Sequence, residues 1–557
     1  MNFDDILSEI NGFGKFQIVL FLIQVLSRIS LPCHFLLSNF IAAVPPHHCD
    51  IRGIEDGGLF VNLTFNQKVI VGIPTEQDGA PSSCLMFTNP QYQYLFSSNT
   101  SEETNQVSKW MGTSTNLIYS RTFVFGLKLK LQCIQTLALI SLQWDLVCNK
   151  RWMNKATATV FFIGVMTGAP LFGYLSDRFG RRPLLLVSYL SSLTFAILSA
   201  VSTSFVMFAI MRFLTGMFLA GRNIEWCSTK HRTFSGIIIS LDWTLGNWLL
   251  VGIAYGINEW RTLILAATSP LILAVMVWRW LPESARWLIA NGKAEAAQYY
   301  MMKCAKMNKG SKGLTTITPE VCLYINNELC GFVSLTVTLF VGITGICGKF
   351  GVAFTYYGIT LNISGFGLNP HLTQFIFASI EMPMKIAVYF SLEKLGRRRC
   401  EVTALTFFLE KWLIRTIVGV LGKSTSEASF TIMYLYTTEL YPTVVRQNGL
   451  GYTAFLARLG VSVSPLVVLS EEAWHLLPAC IYCAVALASG VIASLLPETL
   501  NAQLPEFIED IEKTSTICGY CKKEKVNMVG KMSNLKHFGH QKHYVQDNSG
   551  IILYFCL

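Results

Sequence analysis

The chain has 557 residues, of which 52% are hydrophobic and 14% charged, with a formal net charge of +10. A soluble chain is about 25% charged, so a string of soluble domains would lack polar cover, and a disordered chain, rich in charge and poor in apolar residues, is excluded by the same figures. What remains is a protein whose solvent is mostly lipid, and the positive surplus belongs either to a nucleic-acid surface or to one face of a membrane protein.

Apolar runs of about 20 residues, the length of one bilayer crossing, recur along the chain. The first extends from about Phe16 to Leu37, so residues 1–37 hold the N-terminus and one span. Asp4, Asp5 and Glu9 precede it, with no basic n-region and no small-residue cleavage site, which reads as a retained span rather than a cleaved signal. A long loop, 38–155, follows. Runs beginning near Ala156, Leu184, Phe205, Phe234 and Thr262 complete a first group within 156–281. A polar stretch, 282–330, reads as a central cytoplasmic loop. Runs beginning near Gly331, His371, Val402, Glu427, Leu450 and Trp474 form a second group within 331–496. Residues 497–557 form a polar tail. The expected fold is an all-α integral membrane protein of about twelve transmembrane helices in two six-helix halves.

The long loop contains two glycosylation acceptors, Asn62-Leu-Thr and Asn99-Thr-Ser. It also holds Cys49, Cys84, Cys133 and Cys148, an even number that fits disulfides in an oxidising compartment, with the pairing open. Between Ser38 and Ser120 there are seven acidic and three basic residues. Short turns on the opposite side carry Arg178, Arg181 and Arg182, then Lys394, Arg397, Arg398 and Arg399. That is the positive-inside pattern, with the loop outside and both termini cytoplasmic. The tail balances at seven acids and seven Lys/Arg. The net charge is therefore concentrated in short turns, and no nucleic-acid partner is expected.

Those turns repeat. Asp177-Arg-Phe-Gly-Arg181-Arg182 follows the second span and Glu393-Lys-Leu-Gly-Arg397-Arg398 the eighth, with Arg181 and Arg397 216 positions apart. Glu225 precedes Arg232 by seven residues and Glu439 precedes Arg446 by seven, at an offset of 214. Pro282-Glu283 and Pro497-Glu498 lie 215 apart. Three motifs in one order at one offset point to a duplicated six-span unit, a transporter architecture. Charges gathered at one face can pair when helix ends close and separate when they open, which would make them a cytoplasmic latch for alternating access. Ordinary loop caps and topology signals are the alternative.

These motifs resemble the major facilitator superfamily. Gln143-Trp-Asp-Leu-Val-Cys148, Phe172-Gly-Tyr-Leu-Ser-Asp-Arg-Phe-Gly-Arg-Arg-Pro183, Leu281-Pro-Glu-Ser-Ala-Arg-Trp-Leu288 and Thr438-Glu-Leu-Tyr-Pro-Thr-Val-Val-Arg-Gln447 resemble the signature blocks of the organic ion transporter family of solute carriers. The opening stretch, Pro45-Pro-His-His-Cys49 and Ala502-Gln-Leu-Pro505 look most like its anion-transporting branch. The resemblance implies a plasma-membrane secondary transporter that exchanges small amphipathic organic anions for a counter-anion, without ATP.

Two intramembrane cations bear on the substrate's charge, since a charge inside a span faces a cavity or a partner. Lys385 in the eighth span and Arg458 in the eleventh match basic residues of the anion-transporting branch, and the cation-transporting branch carries an acid at the position of Arg458. Lys385 stands one turn after Glu381, so mutual neutralisation is the alternative there. Tyr356 and Tyr357 in the seventh span, and Phe430 and Tyr434 in the tenth, match aromatic positions of the family's site, with helix packing as the alternative. Asn39, at the outer end of the first span, is a weaker substrate-binding candidate. Arg212, with Gly216, resembles the superfamily's Arg-x-x-x-Gly element, as a coupling charge or a buried pair.

Other signals point nowhere further. Cys518-Gly-Tyr-Cys521 with His537, His540 and His543 is poorly spaced for zinc, and Cys480-Ile-Tyr-Cys483 lies within a span. No Walker loop, Rossmann fingerprint, HExxH or GxSxG occurs, so neither cofactor nor enzymatic activity is expected. The chain also departs from its relatives. The Cys-x-x-Gly-Trp-x-Tyr block ahead of Trp144 is absent. Only 42 residues separate Arg182 from Glu225 and 40 separate Arg398 from Glu439. Lys349, Glu410, Lys411 and Arg415 fall within spans, as does Asp242, which would be the counter-ion of a cation carrier. A cation transporter of the same fold and a non-transporting paralogue are the alternatives.

Overall fold

The computed structural model describes residues 14–44, 47–49, 62–75, 81–87, 90–95, 107–109, 117–119, 139–220, 232–308, 335–362, 369–406, 415–440, 446–474, 477–496 and 498–499. Among the described residues, twelve helical segments correspond to the expected spans, the ninth described over only ten residues. The first half holds Lys15–Ile41, Arg151–Phe179, Arg181–Ala200, Phe205–Leu219, Arg232–Gly256 and Trp260–Trp280. The second holds Leu335–Thr360, Pro370–Leu395, Arg397–Thr406, Arg415–Leu440, Arg446–Val467 and Leu477–Ser494. Seven of the twelve are long and apolar enough to cross a membrane on composition alone among the described residues. The fourth is short at 15 residues, as the tight spacing between Arg182 and Glu225 requires.

Local sequence explains the irregularities and close approaches. The first span bends into segments Lys15–Arg28, Ser30–Leu36 and Ser38–Ile41. Pro32 has no N–H to return to the preceding turn, which favours the first break. Opposite it, a methyl group at Gly246 would strike Pro32 and the Ile29 carbonyl, so glycine lets the first and fifth spans touch. Gly164, Gly168 and Gly216 do the same for the second and fourth, where added carbons would strike the backbone carbonyls of Phe213, Met217 and Phe161. The halves meet through the second span against the eleventh and the fifth against the eighth. Their shared core contains Phe35, Phe161 and Phe162 from the first half with Tyr356, Tyr357 and Val461 from the second. Leu22, Val206, Ile272 and Val491 are exposed outward, as a lipid solvent permits.

One face carries the long loop. There the helix Phe65–Gly72 and two short antiparallel pairs, His47–Cys49 with Leu117–Tyr119 and Leu85–Phe87 with Val107–Lys109, are described. A Cys84–Cys148 disulfide ties this material to the start of the second span. Asn62 is exposed; Asn99 and Cys133, and the Cys49 side chain, lie outside the described residues. The other face carries the arginine turns. The stretch read as a central loop holds two helices there, Ala285–Ala290 and Ala294–Met307. Asn308 follows the second, accepting from the Phe16 N–H at 3.0 Å and donating to Gln17 at 2.8 Å, which caps the first span.

The duplicated charges form two copies of one device. Gly180 and Gly396, 216 positions apart, both turn the chain at positive φ, +99° and +87°. L side chains rarely adopt that conformation, and glycine does so freely. Immediately after, the Glu283 carboxylate accepts from the Arg181 and Arg182 N–H groups at 3.0 and 3.1 Å. Glu498 accepts from the Arg397 and Arg398 N–H groups at 2.8 and 3.2 Å. An anion on the free N–H groups of a helix start is the arrangement the helix dipole favours. Arg397 also grips Glu439 through Nε and Nη2, both at 3.0 Å, and Thr499 donates to Glu439 at 2.7 Å. Arg182 lies 4.9 Å from the Trp278 ring centroid, and Trp278 donates to its carbonyl.

The bonds given above for Arg181, Arg182, Glu283, Arg397, Arg398, Glu439 and Glu498 lie within one half. Helix-start N–H groups must be satisfied wherever the halves stand, so the Pro-Glu carboxylates are held at home. Glu225 lies outside the described residues, as do the side chains of Asp177, Arg232 and Arg446.

Candidate functional site

The eighth span places Glu381 and Lys385 one turn apart, and the tenth places Lys423 and Glu427 one turn apart. Both spans run from the loop face to the arginine face, and the order of charge is reversed between them. Each acid therefore faces the other helix's lysine. Lys423 Nζ is 2.8 Å from Glu381, and Lys385 Nζ is 3.3 Å from Glu427 and 3.8 Å from Glu381. All four side chains are buried. Two cations and two carboxylates cancel, which is how four charges survive in a span interior.

The fifth and seventh spans complete the cluster. Lys385 donates to the Ser240 carbonyl and to Thr244 Oγ1, each at 2.9 Å. Thr244 donates to Glu381 at 3.3 Å. Tyr356 donates its hydroxyl proton to Glu381 at 2.9 Å and accepts from Trp243 Nε1 at 2.9 Å. Lys423 Nζ stands 3.3 Å from the Tyr356 ring centroid, a cation–π contact in a dry setting. Below Trp243, Asp242 pairs with Arg28 of the first span at 2.8 Å. Every cation named so far is matched by a carboxylate.

Arg458 is different. It is half-buried in the eleventh span, 5.1 Å from the Phe35 ring centroid and within electrostatic reach of Tyr357. Among the described residues no carboxylate forms an ion pair with it. Aromatic edges surround it: Phe35 packs on Phe161, Phe162 and Trp243 at 5.3 to 5.6 Å, and Tyr357 on Phe162 and Tyr356 at 5.2 and 5.1 Å. Lys349 lies nearer the arginine face, donating to Thr453 at 3.4 Å. A guanidinium at an aromatic wall can take a carboxylate through paired N–H donors while the rings hold an apolar body.

The sequence candidates separate accordingly. Tyr356, Tyr357, Phe430 and Arg458 come together, with the Phe430 ring 5.2 Å from that of Tyr356 and tilted to it by 35°. Lys385 belongs to the neutral quartet, buried among its partners. Asn39 instead joins the halves at the loop face, donating to the Thr360 carbonyl at 2.8 Å and to Gln374 at 3.3 Å. His371 Nε2 meets the Ala254 carbonyl at 3.2 Å nearby, and Arg151 pairs with Glu471 at 3.8 Å. The Tyr434 side chain lies outside the described residues. Arg212 is buried, donates to the His34 carbonyl at 3.0 Å, meets His34 Nδ1 at 3.3 Å and lies 4.4 Å from the Phe161 ring centroid. Sequence reasoning missed Lys423 and Glu427. Their signal was available: opposite charges at spacing four, in reversed order to Glu381 and Lys385.

Comparisons with known proteins agree with this architecture. The family model described as "Sugar (and other) transporter" matches residues 82–509. Solute carrier family 22 member 7 of Rattus norvegicus is 41% identical, with 93% of this chain and 99% of the relative covered. The Homo sapiens protein of the same name is 39% identical, over 92% and 97%. Solute carrier family 22 member 6-B of Xenopus laevis is 33% identical, over 92% and 95%. Among solved structures, the proton:xylose symporter XylE of the major facilitator superfamily shares the fold, at a TM-score of 0.51, 18% identity, and 66% of this chain and 90% of that one covered.

Proposed function

The chain belongs to the solute carrier 22 family of organic ion transporters, in the major facilitator superfamily, and from that premise we propose that it carries small amphipathic organic anions across the plasma membrane. Both termini lie in the cytoplasm, with the arginine turns on that side and the long loop outside. Arg458 carries the reading. It is a half-buried cation on an aromatic wall, and no carboxylate among the described residues answers it. The substrate's carboxylate supplies that answer, and Phe35, Tyr357 and their neighbours receive its apolar body. Asp242, which a cation carrier would need as counter-ion, is paired with Arg28.

Transport proceeds by rocking of the two halves about this midplane site. At the loop face the halves meet through Asn39 with Thr360, His371 with Ala254 and Arg151 with Glu471, apart from the deeper bonds of Ser240, Trp243 and Thr244 to Lys385, Tyr356 and Glu381. The loop-face contacts are the ones that part when the site opens outward. A second anion on the return stroke restores charge to Arg458, which gives exchange without ATP. Uptake of a labelled aryl carboxylate and a labelled quaternary ammonium, run side by side in expressing cells, tests the reading. Accumulation of the carboxylate, faster in cells preloaded with unlabelled carboxylate, is expected. Saturable uptake of the ammonium alone would overturn it.

A further inference from the structure

We propose that Arg151 and Lys155 form an outer dock for organic carboxylates, and that Glu471 is a built-in carboxylate that takes the substrate's place there when the loop face closes; this rests on the anion-carrier reading above. Arg151 and Lys155 stand one turn apart at the start of the second span, Arg151 partly exposed and Lys155 half-buried. Glu471 approaches from the other half. It is 3.8 Å from Arg151 and within electrostatic reach of Lys155. It lies in the short helix Val468–Glu472 that continues the eleventh span, on the loop side of Arg458. The Glu472 side chain lies outside the described residues, on the same element. Lys150, just before the second span, has Asp145 of its own half within electrostatic reach, whereas Arg151 and Lys155 meet Glu471 across the boundary. When the loop face parts, Glu471 leaves with the second half and the two cations stay with the first, open to the outer solution. A carboxylate arriving from outside then meets two positive charges where Glu471 stood. Phe161 and Phe162 follow on the same helix, about 10 Å further in at 1.5 Å per residue, and both pack on Phe35 in the aromatic wall. The second span therefore leads an amphipathic anion from the dock toward Arg458. On closing, Glu471 returns to the cations and displaces the carboxylate from them, which sends the substrate inward rather than back.

The test is initial-rate uptake of a labelled aryl carboxylate at matched surface expression, with the external KM separated from the maximal rate. Lys155→Gln leaves the Arg151–Glu471 pair in place and should raise the external KM roughly threefold, and adding Arg151→Gln should bring the rise to roughly tenfold, since each partly exposed charge contact contributes modestly. Added salt should slow wild-type uptake at low substrate by screening the dock and should affect the double variant less. Lys155→Arg should restore the wild-type KM. Glu471→Gln should act in the opposite sense, lowering the external KM and the maximal rate together, because the docked anion loses its competitor. A role confined to clasping the loop face gives the other sign for the cations: a broken clasp favours the outward-open state and lowers the external KM. The Lys155→Gln and Arg151→Gln variants are independent, so where one fails to reach the surface the other decides. An external KM unchanged or lowered by loss of these cations, with anion uptake retained, overturns the dock and leaves the anion reading standing. An external KM not lowered in Glu471→Gln overturns the displacement. Failure of the wild type to take up any carboxylate overturns both readings.

Discussion

Replacing Arg458 with alanine separates charge recognition from packing. The guanidinium offers a carboxylate two parallel N–H donors. Hydrogen bonds to charged groups contribute about 1.5–3 kcal/mol each, so losing the pair costs about 3 kcal/mol at least. At subsaturating substrate that is roughly a hundredfold fall in uptake, since each 1.4 kcal/mol is about tenfold. Arg458 is half-buried rather than sealed, and no described carboxylate would be stranded by its removal, so folding should be spared. Arg458→Lys keeps the charge without the fork and should recover uptake to within roughly tenfold of wild type. The assay is initial-rate uptake of a labelled aryl carboxylate, normalised to surface protein by biotinylation. Uptake within twofold of wild type for Arg458→Ala at equal surface level would refute the reasoning, because the charge would then be answered elsewhere.

The remaining predictions concern the frame around the site. Glu283 and Glu498 make matching bonds to their helix starts, but Glu283 is buried and Glu498 exposed. Glu283→Ala should therefore lower the melting temperature of the detergent-purified protein more than Glu498→Ala, since exposed pairs are screened; equal shifts would argue against helix capping as the source. Charge reversal by Arg151→Glu should loosen the loop face and change the outward-facing fraction, read by labelling of a cysteine placed on that face, and adding Glu471→Arg should restore the wild-type value. Labelling unchanged by the single reversal would exclude this pair as a clasp. In the helix between the halves, outside the spans, burial pushes the Cys304 thiol up to about 11 against a smaller lowering by the Gln17 hydrogen bond. Its thiolate stays scarce below that pH, so maleimide modification at pH 8 should be slow in native membranes and quick after denaturation, as read by mass spectrometry. Rapid native labelling would contradict the packing of that helix on the first span.

The twofold repeat was legible because its chemistry is local. A glycine at positive φ, two arginines and a distant Pro-Glu are needed wherever a span turns back at that face, so the same letters recur at one offset. What the letters do was not legible, because the acid's partners are backbone N–H groups, which have no sequence signature. Tyr356, Tyr357 and Arg458 could be read from resemblance and from the cost of charge in lipid. Lys423 and Glu427 escaped for a physical reason: two charges one turn apart depress local hydropathy, so the apolar run of the tenth span was read as beginning only near Glu427. The helix is described from Arg415 onward. Asp242 stood out as a departure, yet its partner Arg28 sits more than two hundred residues away, and only packing of the first span on the fifth joins them. The Cys84–Cys148 link among four loop cysteines was likewise a matter of spatial proximity rather than order.

The reversed order of charge on the eighth and tenth spans also acts as a vernier. If one helix slid past the other by a single turn, about 5.4 Å, Lys385 would face Lys423 in one direction and Glu381 would face Glu427 in the other. Either mismatch sets like charges together in a medium that cannot screen them. Sliding is therefore the motion this pair resists, while tilting the two helices together leaves every pair intact. The second half is built to travel as one piece, and the deformation that opens the site falls on its boundary with the first.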